Sequence, residues 1–382
     1  MPVSVYIHVP FCLKKCAYCS FISYPYDPAG AGLYIRALKT EMSLWEEELS
    51  REEREVGTLY IGGGTPTCLR AGELASIVEE VSRRFLPLPG WEVTVEANPG
   101  TVDAEYLKTL RRAGVNRLSL GVQSFDDRLL EILGRTHSAR CARQALYWAR
   151  EAGFDNVSID LIYGIPGQTN SAWRGTLKEA VGHGPEHLSV YGLELEEGTE
   201  LAGRIKRGEV EAPGEDAWVL MYRTAAFILK SAGYEHYEIS NFARPLKYAR
   251  HNVNCWRCLP YLGLGPAAHS YLRGRRFSNY PELGKYAALL AGGELPVEHS
   301  EEITPEKEMA EALFLGLRLL RGIDLADFER RFGQKVEEVY GQPLGRLREA
   351  GLVKIEGGRL FLTKRGILLS NAVFRELVEG RS

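Results

Sequence analysis

No apolar run in this chain approaches the roughly 18 residues needed to cross a bilayer, and the N-terminus lacks a basic segment, an extended apolar stretch and a cleavage site. A cytoplasmic protein is therefore expected. An excess of one charge is also absent: Lys and Arg number 47 against 50 Asp and Glu, for a net charge of -3. No basic field draws such a chain to nucleic acid, so the expected partner is a small molecule. Cysteine is sparse, with seven residues (12, 16, 19, 68, 141, 255, 258) in 382. An odd, uneven set in a chain long enough for a large core argues against a disulfide framework, which leaves free thiols or metal ligands.

Three of those cysteines crowd into YIHVPFCLKKCAYCSF, where Cys12, Cys16 and Cys19 form a Cys-x3-Cys-x2-Cys array. Three thiolates are one fewer than a closed tetrahedral zinc site or a four-thiolate cluster requires. One reading is a four-iron cubane held at three corners, its last iron open to an exchangeable ligand. The other is a structural zinc knuckle completed by His8.

Short apolar runs alternate with amphipathic segments of about ten to twenty residues, the rhythm of βαβ units. Strands are expected at 3–9, 58–61, 92–96, 117–122, 156–162, 187–195 and 235–240, with helices at 33–48, 71–85, 104–113, 127–133, 140–152, 171–181 and 216–232. Many strands read as apolar on both faces, as in a parallel sheet covered by helices. The expected fold class is α/β: a partial or complete (β/α) barrel with a smaller C-terminal helical, winged-helix-like domain. Barrels of this kind gather ligands where strands end. Polar and glycine motifs fall there: the cysteine loop after the first strand, Gly62-Gly63-Gly64-Thr65-Pro66 after the second, then Glu96 with Asn98, Gln123, Asp160 with Gly164, and Glu194. Such a mouth suits a polar, nucleoside-sized ligand beside a metal centre. The stretch 241–271, rich in Gly, Pro and aromatics, reads as a long functional loop without regular elements. Beyond residue 292 come helices at 306–320, 325–331, 343–350 and 366–377 around a Gly357-Gly358 hairpin.

With these motifs in view, the chain resembles the radical S-adenosylmethionine (SAM) proteins, specifically the heme-chaperone branch of the oxygen-independent coproporphyrinogen III oxidase family. YIHVPFC, IGGGTPT, VEANPGT, RLSLGVQSF, IDLIYGIPGQT, HLSVYGLELEEGT and YLGLGPAAHS resemble family blocks in the family's order, over nearly the whole length. The resemblance implies a radical SAM barrel over 1–243, a connecting region with a heme motif over 244–292 and a HemN-like winged-helix-like domain over 293–382. It implies that Cys12, Cys16 and Cys19 hold a [4Fe-4S] cluster whose open iron takes SAM. Tyr6, Gly63 and Glu96 match positions around that nucleotide; Tyr18, Gly64, Thr65, Gln123, Arg135 and Asp160 match those around a second one. Glu194 and His269 align with further contact positions but differ in type.

The oxidase branch carries a fourth cysteine two residues after the third, where this chain has Phe21, and an extension before the cluster loop, where this chain has eleven residues. Both differences favour the chaperone branch. Its His-Asn-x-x-Tyr-Trp motif is matched by His251-Asn252-Val253-Asn254-Cys255-Trp256, with Cys255 replacing tyrosine. Imidazole and thiolate both ligate heme iron, so His251 and Cys255 are the heme candidates. The expected activity is to bind heme and pass it to an acceptor protein, which the sequence does not identify. The acceptor's own membrane attachment would bring a peripheral contact, and the chain is expected as a monomer or homodimer. The alternative is the oxidase activity itself, the oxygen-independent oxidative decarboxylation of coproporphyrinogen III.

Overall fold

The structure is a computed structural model, which describes residues 2–379. Six parallel strands form its centre: β1 (Val3–Val9), β2 (Glu55–Gly63), β3 (Leu86–Ala97), β4 (Arg117–Gln123), β5 (Val157–Tyr163) and β6 (His187–Gly192), paired in that order. Helices α1 (Pro28–Glu48), α2 (Ala71–Arg84), α3 (Ala104–Arg112), α4 (Asp127–Ile132), α5 (Ala139–Glu151), α6 (Asn170–Gly182), α7 (Glu200–Lys206) and α8 (Glu215–Ser231) follow or separate them. The twelve-stranded sheet ends at Val297–Glu302 on one side and Glu235–His236 on the other, and those edges do not pair. The barrel is partial.

The expectation of strands apolar on both faces does not hold. In β1 the buried Val3, Val5, Ile7 and Val9 alternate with Ser4, Tyr6 and His8. β4 alternates Leu118, Leu120 and Val122 with Arg117, Ser119 and Gly121; β5 alternates Val157, Ile159 and Leu161 with Ser158 and Asp160. The apolar set packs in one core with α1 and α2 residues such as Tyr34, Leu38, Leu74 and Ile77. Opposite faces of a pleated strand explain the period of two. The polar set lies on the opposite face, toward the barrel lumen, and its buried side chains bond one another. Examples are Tyr60 to Glu96 (2.6 Å), Ser119 to Asp160 (3.1 Å) and Ser158 to His187 (2.8 Å).

The stretch 241–271 is also regular where a loop was expected. It contains β7 (Asn241–Ala243), antiparallel to β6; α9 (Arg250–Trp256); and β8 (Tyr261–Leu264), which extends the sheet beyond β1 in parallel. His269–Leu272, Arg275–Asn279 and Val297–Glu302 then continue the same sheet antiparallel. Elements this short cannot express a period across the 11 or so residues that pattern reading needs. Of the strand expected at 235–240 only Glu235–His236 forms, and β7 begins beyond it.

The C-terminal segment has its own core around Leu313, Tyr340 and Leu360. Helices Pro305–Gly316, Leu325–Phe332 and Val336–Glu349 precede the hairpin Val353–Glu356 and Arg359–Leu362, which turns at Gly357 and Gly358 with φ of 58° and 72°. Both positions need left-handed backbone, which glycine adopts without strain. The last expected helix divides into Lys364–Leu368 and Ser370–Glu379. Two backbone bonds, Ile239 N to Arg318 O (3.1 Å) and Leu320 N to Tyr237 O (3.0 Å), fasten this domain to the barrel side. No helix among the described residues is long and apolar enough to cross a membrane.

Candidate cluster loop and polar lumen

Strand β1 delivers the chain to the barrel mouth, and the cysteine loop is anchored there before its thiols appear. Phe11 is fully buried, edge-on to Tyr34 and Tyr26 at ring separations of 5.7 and 6.2 Å. Phe11–Cys12 pairs in parallel with Tyr24–Pro25, so the loop's two ends meet. Its middle is held by Ala17 N donating to Leu133 O (3.0 Å) and Leu201 N donating to Ala17 O (2.8 Å). The loop after β2 lies against it: Gly64 N donates to Val9 O (2.9 Å) and Thr65 N to Phe11 O (2.7 Å). A Cβ on Gly64 would stand 2.5 Å from the Phe11 carbonyl oxygen, so only glycine permits this approach.

Cys12, Cys16 and Cys19 are unpaired and half-buried. Thr65 Oγ1 lies 3.6 Å from Cys12 Sγ, and Arg135 donates from Nη1 to Cys16 Sγ at 3.4 Å and from Nη2 to Gly121 O at 2.8 Å. Burial raises the thiol of Cys19 and the phenol of Tyr18; Arg135 beside Tyr18 opposes the latter shift. Arg135 Nε is buried without a hydrogen-bond partner among the described residues, leaving a donor for a further acceptor. Cys68, which the sequence reading did not single out, neighbours Cys12; burial pushes its thiol up to about 11.

His8 does not complete a zinc site. Its Nε2 is 3.2 Å from the carbonyl of Ile22, which can only accept, so Nε2 carries the proton; Nδ1 then accepts from Tyr6 Oη at 3.0 Å. Burial lowers its basicity and keeps the ring neutral. Among the described residues no three His, Cys, Asp or Glu side chains converge as a single-ion site. A cubane asks for something else: each thiolate takes a different iron, so three spaced sulfurs with one guanidinium fit a cluster better than one ion.

The other expected residues distribute along the lumen. Tyr6 and Glu96 sit near Tyr60, which is tilted 6.3 Å from Tyr6 by ring centres and donates to Glu96. Burial pushes the Glu96 carboxyl up to about 7. Gly63 ends β2, Gly64 and Thr65 follow it, and Gln123 ends β4 with φ of 64°, a strained value that turns the chain at the mouth. Asp160 lies deeper, where burial raises its carboxyl while Ser119 and Ser158 donate to it. Glu194 and His269 are exposed.

His251 borders this group, its ring 6.5 Å from that of Tyr6 and 5.2 Å from that of Tyr60 by centres, and Cys255 lies one helical turn further along α9. His251 is buried beneath the lumen, its Nδ1 3.0 Å from Thr58 Oγ1 and its backbone N–H donating to Glu92 (3.1 Å). Burial pushes its imidazole down to about 3 and the Cys255 thiol up to about 11. The sequence reading also passed over Arg117, Ser119, Tyr60 and His187, which line the lumen; the alternation in RLSLGVQ, TLYIGG and HLSVYG was the available signal.

Comparison with known proteins follows this geometry. Residues 6–180 match the model of the radical SAM superfamily and residues 303–369 that of the HemN C-terminal domain. The chain is 36% identical to the heme chaperone HemW of Bacillus subtilis over 372 residues, 97% of this chain and 98% of that protein. It is 38% identical to the heme chaperone HemW of Mycobacterium tuberculosis over 382 residues, 99% and 95% of the two chains. The structure of the coproporphyrinogen III oxidase HemN from Escherichia coli superposes with a TM-score of 0.87, covering 99% of this chain and 90% of that one at 24% identity.

Proposed function

We propose a function from one premise: the chain belongs to the radical SAM superfamily and, within it, to the HemW heme-chaperone family. Its role is to bind heme and transfer it to an acceptor protein, while carrying a [4Fe-4S] cluster with exchangeable SAM. The observation that carries this reading is the end-to-end match to HemW proteins, 36% and 38% identical over 97% and 99% of this chain. The oxidase alternative rests on likeness of fold alone.

In this proposal Cys12, Cys16 and Cys19 hold the cluster. Tyr6, Gly63 and Glu96 receive the nucleotide on its open iron, and Tyr18, Gly64, Thr65, Gln123, Arg135 and Asp160 receive a second. When bound, the cluster and SAM supply low-potential electron transfer and a cleavable carbon–sulfur bond. The chain's own contribution is electrostatic. Arg135 donates to the Cys16 sulfur, Glu96 accepts hydrogen bonds from ribose hydroxyls or an ammonium, and the glycines let backbone approach the ligand. Seven unpaired thiols agree with a reducing, cytoplasmic setting.

For heme, His251 and Cys255 are proposed as iron ligands on the motif helix, whose burial sets a condition: α9 must shift from the lumen floor before either reaches iron. Heme titration of the pure protein tests the role. A saturable Soret change that His251→Ala weakens is expected; no saturable change sinks the reading. Incubation of reconstituted protein with SAM, reductant and coproporphyrinogen III without oxygen tests the alternative, and product formation there would reverse the ranking. Oxygen-free protein with about four irons and no zinc is expected by metal analysis.

A further inference from the structure

Apart from the lumen and the cluster loop, a cavity of about 1560 Å³ opens between the far side of α9 and the C-terminal domain. Sites for drug-sized ligands occupy roughly 300 to 1,000 Å³, so a ring as broad as a tetrapyrrole fits. Its walls carry an unusual share of flat side chains, among them Trp256, Tyr248, Tyr271, Phe328 and Phe332. Trp256 Nε1 is buried with no hydrogen-bond partner among the described residues, an open donor in the wall.

The charge on the rim is one-sided. Six arginines line the cavity against three carboxylates, Glu308, Asp324 and Asp327. Each carboxylate already has an arginine: Arg331 (2.7 Å), Arg359 (3.0 Å) and Arg330 respectively. Arg273 pairs with Glu53 outside the cavity. The remaining two, Arg257 and Arg321, are exposed and pair with no carboxylate among the described residues; Arg321 meets only the hydroxyl and ring of Tyr248. His251 and Cys255, the two motif residues proposed as iron ligands, do not line this space and would reach iron held there only after the shift of α9 proposed above, whereas Trp256 and Cys258 line it directly.

We propose that this cavity is the seat of the tetrapyrrole, with the macrocycle stacked among Trp256 and the aromatic wall and its peripheral carboxylates taken by Arg257 and Arg321. The inference rests on the heme-carrier reading and adds to it a location and a recognition chemistry: flat apolar area first, then two unpaired guanidinium groups whose geometry suits carboxylate. Because ring and carboxylates set the seat, iron is dispensable for occupancy.

The test is a fluorescence titration of metal-free protoporphyrin IX into the full chain, with heme titrated in parallel. The chain is expected to bind both. Arg257→Glu and Arg321→Glu should each weaken metal-free binding about tenfold or more, as loss of a hydrogen bond to a charged group does. Lys178→Glu, a charge change on an exposed helix face away from the cavity, should leave metal-free binding unchanged. Equal binding by both arginine variants and wild type, or equal weakening by Lys178→Glu, overturns the cavity, as does heme binding without metal-free binding. Binding of neither ring by wild type would instead remove the heme-carrier reading itself.

Discussion

The carboxyl of Glu96 carries the sharpest single-residue consequence. Burial lifts it to about 7, so it is half ionised at neutrality. As a carboxylate it accepts from ribose or ammonium; as an acid it loses that charge. SAM affinity is therefore expected to fall roughly tenfold between pH 8 and pH 6, following the ionised fraction of a group titrating at that midpoint. Equilibrium binding across this range checks it, and Glu96→Gln should flatten the profile. Cys16 offers a second test. Its sulfur is half-buried on the mouth, outside the apolar core, so Cys16→Ala should abolish the cluster's visible absorbance while leaving far-ultraviolet circular dichroism unchanged.

At the scale of elements, the loop and the strand that presents it act together. Phe11 lies in the main core and its carbonyl receives Thr65 N–H, so the same residue anchors the loop and sets the β2 turn. Phe11→Ala should destabilise the fold by about 3 kcal/mol, the usual scale for emptying a buried aromatic site. Urea unfolding measures that. Cluster retention after reconstitution should also drop, because Cys12 is the next residue. A stability loss without any effect on cluster content would mean the loop is held by its other tethers alone. Helix α9 is the other element that matters: one face floors the lumen through His251, and its far end opens the large cavity through Trp256.

At the scale of the molecule, three carboxyls among the described residues are buried with pKa values raised to about 7: Glu41, Glu96 and Glu238. In each, burial favours the neutral form, so the folded state keeps a proton that the unfolded chain releases near its ordinary 4.5. Their contribution to stability is complete below that value and is lost as pH rises through about 7. The urea midpoint is thus expected to decline from pH 5 to pH 8, with a shallower decline in Glu41→Gln. Glu238 also marks the junction of the two cores. It is fully buried, 3.8 Å from Arg318 of the C-terminal domain, whose guanidinium stands over Trp256 at 4.3 Å. Arg318→Ala should cost about 2 kcal/mol, and more at pH 8 than at pH 6, since it strands a buried carboxylate. Denaturation at both pH values checks the magnitude and its sign.

Much of this molecule is legible along the chain because its information is local. The three thiols within eight residues, the glycine pair that permits close approach and the order of strands and helices follow from residue types and spacing; β1 and the start of α2 fall where pattern reading puts them. What local pattern leaves open depends on partners distant in sequence. The strand alternation acquires meaning once curvature assigns one face to a polar lumen, and the short strands between 241 and 302 are strands only because β1 and β6 offer edges to pair with. Hydrogen bonds to Tyr6 and Ile22 occupy His8, a placement made by a residue fourteen positions away. Tertiary structure alone decides that His251 turns toward the lumen while Trp256, five residues on, faces a cavity shared with the C-terminal domain, because packing between two cores selects which side of a helix each residue can reach.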